Sequence, residues 1–549
     1  MLPPPPVRGV YRTDARARAA YAEGAGIYRI LPQAICRPAD LEDLKTLISW
    51  ASARGVPLVP RGAGSAMGGG NVGAGVVVDL TGTSEPRLEI DPARRRAITS
   101  APITHAELES AAAIHGLRLP PDPSSGRWAT LGGMVSTNAA GARSVRYGSV
   151  RRWVERLTLV TADGEAVRLG RGEAGEARAL ERFRRDAAPR IQAASRLITD
   201  RFPRTRKNSS GYALDAYLAS GDVLDLIIGA EGTLGIVTEI EWRLEEVPAF
   251  QAGLRVHLRS LQHLADVVGA LHRYEPSALE LLDRSFLDLL GADMLSGAGL
   301  GTETEAIVLV ELERDDAEAL RQALRGASDA VAGWAIAVDT AYSPPEAEQL
   351  WAIRHAASPI LAGLPESRRS LQVIEDGCVP VERMGEYIAV VRGAAAKHGL
   401  PVVMFGHAGD GHIHVNLVPE LSREGWEAEV SDLFQEVTAA VIRLGGTPTG
   451  EHGDGRLRAG TLLDVYGPEV VDLFRRVKQA FDPLGILNPG IILPSGEPPI
   501  GRLKVGPGAV PIPADIQRAL REIELTGGYG RSRLELAGEE GTISARPDS

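Results

Sequence analysis

The sequence predicts an α+β protein of several domains. Its 549 residues exceed what one hydrophobic core ordinarily organises. A glycine-rich loop in the first half joins strand to strand. From Gln251 to Pro419, strands alternate with amphipathic helices, and an antiparallel sheet with helices on one face is the simplest packing for that pattern.

Residues 39–54 read as a helix capped by Asp40, with apolar positions at Leu41, Leu44, Leu47 and Ile48. A strand at 56–59 runs into the loop Pro60 to Asn71, and a second strand follows at 75–80. Asp163-Gly164 joins strands at 153–161 and 165–169 as a hairpin. In the second half, strands are expected at 254–258, 306–312, 334–338 and 402–405, and helices at 263–274, 315–326 and 381–398. Helices follow at 426–444 and 468–480. The Pro/Gly-rich stretch 494–513 reads as a linker before a short helix at 514–525.

Sixty basic against 71 acidic residues leave a net charge of −11, with no surplus of cations to neutralise a phosphate backbone, so nucleic acid is not an expected partner. No apolar run approaches the roughly 18 residues of a membrane span. The proline-rich start lacks the apolar core of a signal peptide. A cytoplasmic location is expected, with a peripheral position at the inner face of the membrane as its variant. Cys36 and Cys378 are the only cysteines, too few for a disulfide scaffold or an all-cysteine iron–sulfur cluster.

Gly62 to Gly75 puts bare backbone amides within reach of an anion, and a phosphate is the usual guest. It is not a Rossmann loop, because Met67 stands where the third glycine should be and a strand comes next. A second small-residue stretch runs from Ala129 to Gly141, and a third from Gly229 to Val237. Together they suggest a long ligand laid along a sheet edge.

Of eleven histidines, His407, His412, His414 and His452 fall in two short Gly-rich segments, His407-Ala408-Gly409-Asp410-Gly411-His412-Ile413-His414 and Gly450-Glu451-His452-Gly453-Asp454-Gly455. If residues 412–417 are extended, His412, His414 and Asn416 share one face. Two imidazoles and a carboxylate make an open divalent-metal site, with positions left for water or substrate.

In this order and spacing, the three glycine-rich segments resemble the FAD-binding domain of the vanillyl-alcohol oxidase / p-cresol methylhydroxylase superfamily. More narrowly, the chain resembles its FAD-linked D-2-hydroxy acid dehydrogenase branch, which includes D-lactate dehydrogenases, glycolate oxidase subunits and D-2-hydroxyglutarate dehydrogenases. The resemblance implies a two-subdomain FAD-binding domain over residues 31–245, after an N-terminal arm at 1–30. An α+β cap domain with an antiparallel sheet would occupy 246–495, with its C-terminal helices packed back on the FAD domain. Residues 496–549 would be linker and tail.

By the same resemblance, Arg61, Gly62, Ala63, Gly64, Ser65 and Asn71 wrap the pyrophosphate. Pro121, Gly132, Gly133, Ser136, Thr137, Asn138, Ala140 and Gly141 line the adenosine and isoalloxazine, and Glu231, Ile236 and Val237 complete the wall. The first loop holds no histidine, so FAD is expected bound rather than bonded. His407, His414 and Glu451 match the family's metal ligands, for zinc, iron or manganese, and His452 its general base. His412 stands where many relatives have asparagine, as an extra ligand or a supporting donor. Arg354 matches a carboxylate-binding arginine. Ile374 stands where the 2-hydroxyglutarate enzymes place a lysine, which speaks against a dicarboxylate.

The implied activity is oxidation of a D-2-hydroxy acid to the 2-oxo acid. The C2 hydroxyl proton would pass to His452, the C2 hydride to FAD N5, and the electrons to a separate acceptor. The tail resembles relatives fused to an iron–sulfur module, which suggests a separate iron–sulfur partner docking there. An alcohol oxidase or enolpyruvyl-sugar reductase with the same FAD domain, or a non-catalytic flavin subunit of a glycolate oxidase complex, remain as alternatives.

Overall fold

The computed structural model describes residues 3–82 and 86–538. The chain first builds a four-stranded sheet in the order Val10–Arg12, Ala34–Arg37, Val76–Asp79, Leu58–Arg61. Its last three strands are parallel, and the helix Leu41–Ser52 makes the crossover. Asp40 caps that helix by accepting from the Asp43 N–H at 3.0 Å. Because the strands are Val-rich and covered on both faces, their side chains are buried in both directions.

A five-stranded antiparallel sheet follows, ordered Leu88–Asp91, Arg96–Ser100, Ile236–Arg243, Val154–Val160, Ala166–Gly170. Val154–Val160 and Ala166–Gly170 form the expected hairpin. The small-residue stretch after Ala129 folds as the helix Leu131–Thr137. Thr130 caps its start, and Asn138 ends it in the left-handed region at φ 54°.

The second half is a seven-stranded antiparallel sheet, Ala335–Ala341, Phe250–Leu258, Ala306–Arg314, Ala278–Asp283, Val402–His407, His412–Leu417, Gly377–Cys378. The helices Leu264–His272, Ala317–Val331 and Met384–His398 cover one face. The strand Ala278–Asp283 escapes the sequence pattern because Glu280 and Asp283 interrupt its apolar run. Both are fully buried and paired, Glu280 with Arg354 and Asp283 with Arg392.

The last long helix, Leu462–Phe481, kinks at Gly467, where φ is 78° ahead of Pro468. Its apolar face packs into the core of the first half, beside Phe183 and Tyr212. The stretch read as a linker is not a free tether. Leu503 bridges to Tyr28, and the Lys504 N–H donates to the Ile27 carbonyl at 2.8 Å. The helices Ala514–Thr526 and Arg533–Ala537 bury Ile516, Leu520, Ile523 and Leu536 against Ala15–Ala20. That face of the two helices is therefore taken by the chain itself.

Candidate active site

One cavity of about 1200 Å³ runs between the two halves of the chain. It exceeds the roughly 300–1,000 Å³ of an ordinary ligand cleft, so it can take a long cofactor together with a substrate. Of the residues expected around FAD, Arg61, Gly62, Ala63, Gly64, Ser65, Asn71, Gly132, Gly133, Ser136, Thr137, Ala140, Gly141, Glu231, Ile236 and Val237 line it. Pro121 and Asn138 are buried and do not line it. Asn138 is drawn away because it ends a helix with its Cβ facing Gly229.

Much of this wall is backbone. A Cβ at Gly62 would stand 2.3 Å from Thr130 Oγ1, and one at Gly132 would stand 2.6 Å from Ala101 Cβ. Gly141, at φ 123°, would place a Cβ 2.4 Å from the Asp122 carbonyl oxygen. Only glycine lets these segments pack this tightly on their neighbours and leave the cavity wall as bare backbone. The Arg61 guanidinium turns away beneath the loop, donating to the Glu23 carbonyl at 2.8 Å, so only the backbone of this residue is offered to a pyrophosphate.

Against this wall, with the Gly141 N–H donating to Glu451 Oε2 at 3.1 Å, the two histidine segments meet. His407 closes the strand Val402–His407. His414 sits on the neighbouring strand His412–Leu417, in register with Phe405, so the tight turn between the strands brings both rings together. All of that second strand is buried. His407 Nε2 and His414 Nε2 lie 3.3 Å apart. Glu451 Oε1 stands 3.1 Å from the first and 3.5 Å from the second. Behind them, His407 Nδ1 bonds Glu280 Oε1, and His414 Nδ1 bonds the Glu375 carbonyl at 2.8 Å. With both Nδ1 atoms donating, two imidazole lone pairs and a carboxylate oxygen converge on one point. A proton or a cation must stand there to relieve them, and this donor set fits a divalent metal backed by orienting partners.

His452 lies alongside, its ring stacked on His414 at 5.3 Å. Its Nδ1 bonds Glu375 Oε2 at 2.5 Å, and its Nε2 is 3.7 Å from Glu451 Oε1. Burial opposes charge on this ring, but the carboxylates of Glu375, Asp376 and Glu451 outweigh it and raise His452 to about 10. Burial and the neighbouring histidines push His414 well below its ordinary value. Burial opposes the Glu451 carboxylate too, yet Lys207 and His407 hold it well below the usual range. Arg354, on the helix Pro344–His355, donates from Nε to Glu280 Oε2 at 2.7 Å and lies over the Phe405 ring at 4.9 Å. It lines the cavity, with its Nη atoms left for a ligand.

Glu280, Glu375, Asp376, Lys207 and Arg458 complete the site and were not singled out from the sequence. The adjacent acids Glu375 and Asp376 gave a local signal. Lys207 gave none, because its partner Glu451 is 244 residues away.

An FAD binding domain model matches residues 32–170, and a model of the FAD linked oxidases C-terminal domain matches 247–492. The D-lactate dehydrogenase of Archaeoglobus fulgidus is 29% identical over 84% of this chain and 91% of its own length. The glycolate oxidase subunit GlcD of Bacillus subtilis is 30% identical over 84% of this chain and 89% of its own length. The D-2-hydroxyglutarate dehydrogenase of Pseudomonas putida is 30% identical over 88% of this chain, which spans 50% of that protein. The solved structure of p-cresol methylhydroxylase shares the fold at a TM-score of 0.64, with 14% identity over 89% of this chain and 94% of that one. The glycine-built cavity and these relationships agree, and the chain belongs to the FAD-linked oxidoreductase family of the D-lactate, glycolate and D-2-hydroxyglutarate dehydrogenase type.

Proposed function

We propose that this protein oxidises a D-2-hydroxy acid carrying a single carboxylate to the 2-oxo acid and passes the electrons to a separate acceptor. The observation that carries the reading is the meeting, in one cavity, of the glycine wall with His407, His414, Glu451, His452 and Arg354. The names of the relatives support a 2-hydroxy acid, D-lactate, glycolate and D-2-hydroxyglutarate among them.

FAD held non-covalently along the glycine wall supplies the acceptor for the C2 hydride. His407, His414 and Glu451 would hold a divalent cation, whose positive charge would acidify a bound hydroxyl and favour the neutral form of His452. Arg354 is free at its Nη atoms to hold the substrate carboxylate as a bidentate pair. His452 Nε2 faces Glu451 and takes the hydroxyl proton, while Glu375 on Nδ1 fixes the tautomer and stabilises the imidazolium that forms. Ile374 is buried in the apolar core, where it offers nothing to a second carboxylate.

An alcohol oxidase has no use for Arg354 beside this cluster, and a non-catalytic subunit has no use for the His452–Glu375 pair. Cys36 and Cys378 are both buried, and two thiols are too few to hold an iron–sulfur cluster among these residues.

Anaerobic flavin absorbance of purified, metal-analysed protein tests the reading while D- and L-2-hydroxy acids are added one by one. Bleaching by a D-monocarboxylate, lost on chelation and restored by a metal, is the expected result. A yellow protein that none of these acids bleaches would overturn the substrate class.

A further inference from the structure

Lys207 reaches into the histidine cluster from the first half of the chain, between helices and far from either histidine segment in sequence. It is 6% exposed. Its ammonium has three donors and three acceptors close by: Glu451 Oε2 at 2.8 Å, the Gly141 carbonyl at 3.4 Å and His412 Nδ1 at 3.4 Å. Asp410 adds a second carboxylate at 3.6 Å. The side chain is therefore held in place on every side.

These contacts bear on what the cluster can bind. Glu451 divides its oxygens: Oε1 faces the histidines, while Oε2 accepts from Lys207 and from the Gly141 N–H at 3.1 Å. His412 is also committed at both nitrogens. Nδ1 accepts from Lys207, which leaves the ring proton on Nε2, and Nε2 donates to Asp376 Oδ1 at 2.9 Å. An imidazole backed by a carboxylate is the usual preparation of a metal ligand, and His412 lies within 4.8 Å of His407, His414 and Glu451 in ligand-atom separation. The amine occupies the very nitrogen that would coordinate.

We propose that Lys207 is a positioning residue that keeps His412 out of the coordination sphere and Glu451 monodentate. The site then has three protein ligands and keeps positions open for substrate, instead of closing into a four-ligand cage. The proposal rests on the reading of His407, His414 and Glu451 as a metal site.

The test uses full-length, FAD-loaded protein stripped of metal and titrated with Co²⁺. Visible absorption reports coordination, and flavin absorbance reports retention of FAD. K207M is expected to bind Co²⁺ on the order of ten-fold more tightly, with stronger four-coordinate bands, and to lose turnover. K207M/H412Q should lose the share of the gain that His412 supplies, keeping only what a released Glu451 Oε2 adds. A K207M protein with unchanged or weaker Co²⁺ binding would overturn the proposal.

H412Q in the otherwise wild-type chain is an arm that does not depend on how K207M folds. Its Co²⁺ stoichiometry and bands should match the wild type, and loss of Co²⁺ binding in H412Q would make His412 a ligand and overturn the proposal. A wild-type protein that takes up no Co²⁺, or an H407Q variant that binds it normally, would instead overturn the metal reading, and this proposal with it.

Discussion

Glu280 holds Arg354 by a 2.7 Å bond from the arginine Nε, and its other oxygen bonds His407 Nδ1. One fully buried carboxylate thus ties the residue nominated for substrate binding to a residue nominated for metal binding. Burial opposes its charge, but His407 and Arg354 keep its pKa below the ordinary value. Replacing Glu280 with Gln preserves the shape and removes the charge that orders both partners. E280Q is expected to lower metal retention by roughly 10- to 100-fold, as loss of a supporting partner does elsewhere. KM for the substrate should rise in parallel, because Arg354 loses its brace. Metal analysis and steady-state kinetics check both effects, and unchanged values for each would show that Glu280 serves packing alone.

In the proposed reaction His452 and Glu375 divide the work of proton transfer. H452Q should reduce turnover by about 10²- to 10⁴-fold, the usual contribution of a positioned base. It should leave bound FAD unchanged, because the proposed reading gives FAD to the glycine wall and the proton to His452. E375Q keeps the ring but removes the charge beside Nδ1, so a smaller loss of kcat is expected. Flavin absorbance and single-turnover reduction separate binding from chemistry. Full activity in H452Q would remove it as the base.

The antiparallel sheet of the second half and the three glycine segments are legible in the sequence because period-two alternation and bare backbone are local properties. His407, His412 and His414 are legible for the same reason, since one turn places them on paired strands. Glu280 is not, because a carboxylate in a strand reads as an interruption until its partners are known. Lys207 and Arg458 meet their partners only through tertiary folding: Arg458, fully buried, bonds Glu375 from another segment. The tail reads as a linker because proline and glycine content reports local stiffness and says nothing of the surface at Ala17 to Tyr21 that receives the two helices.

The glycine wall makes a prediction about FAD that does not depend on catalysis. A Cβ at Gly141 would meet the Asp122 carbonyl at 2.4 Å, and at φ 123° no other residue type rests without strain. Since the partner is backbone, the clash cannot be relieved by a rotamer change. G141A is therefore expected to lose FAD on gel filtration and to unfold at a lower temperature, by about 1–3 kcal/mol of strain. Retention of FAD with an unchanged Tm would place the Gly141 backbone outside the cofactor wall.

Acid should loosen the tail. Glu524, on the helix Ala514–Thr526, pairs with Arg369, and Lys504 lies 3.5 Å away. Burial opposes its charge, but Lys504 and Arg369 lower its pKa from 4.5 to about 2. A depressed carboxylate stabilises the fold fully above its unfolded pKa and loses that contribution as pH falls toward the folded value. The window is therefore pH 4.5 down to about 2. A shift of this size corresponds to a contribution on the order of 3 kcal/mol at neutral pH. E524Q should lower Tm at pH 7, and the gap to wild type should narrow through the window as the wild-type carboxyl takes up its proton. Limited proteolysis near residue 510 should follow the same course. A gap that stays constant with pH would mean that Glu524 contributes through packing and not through its charge.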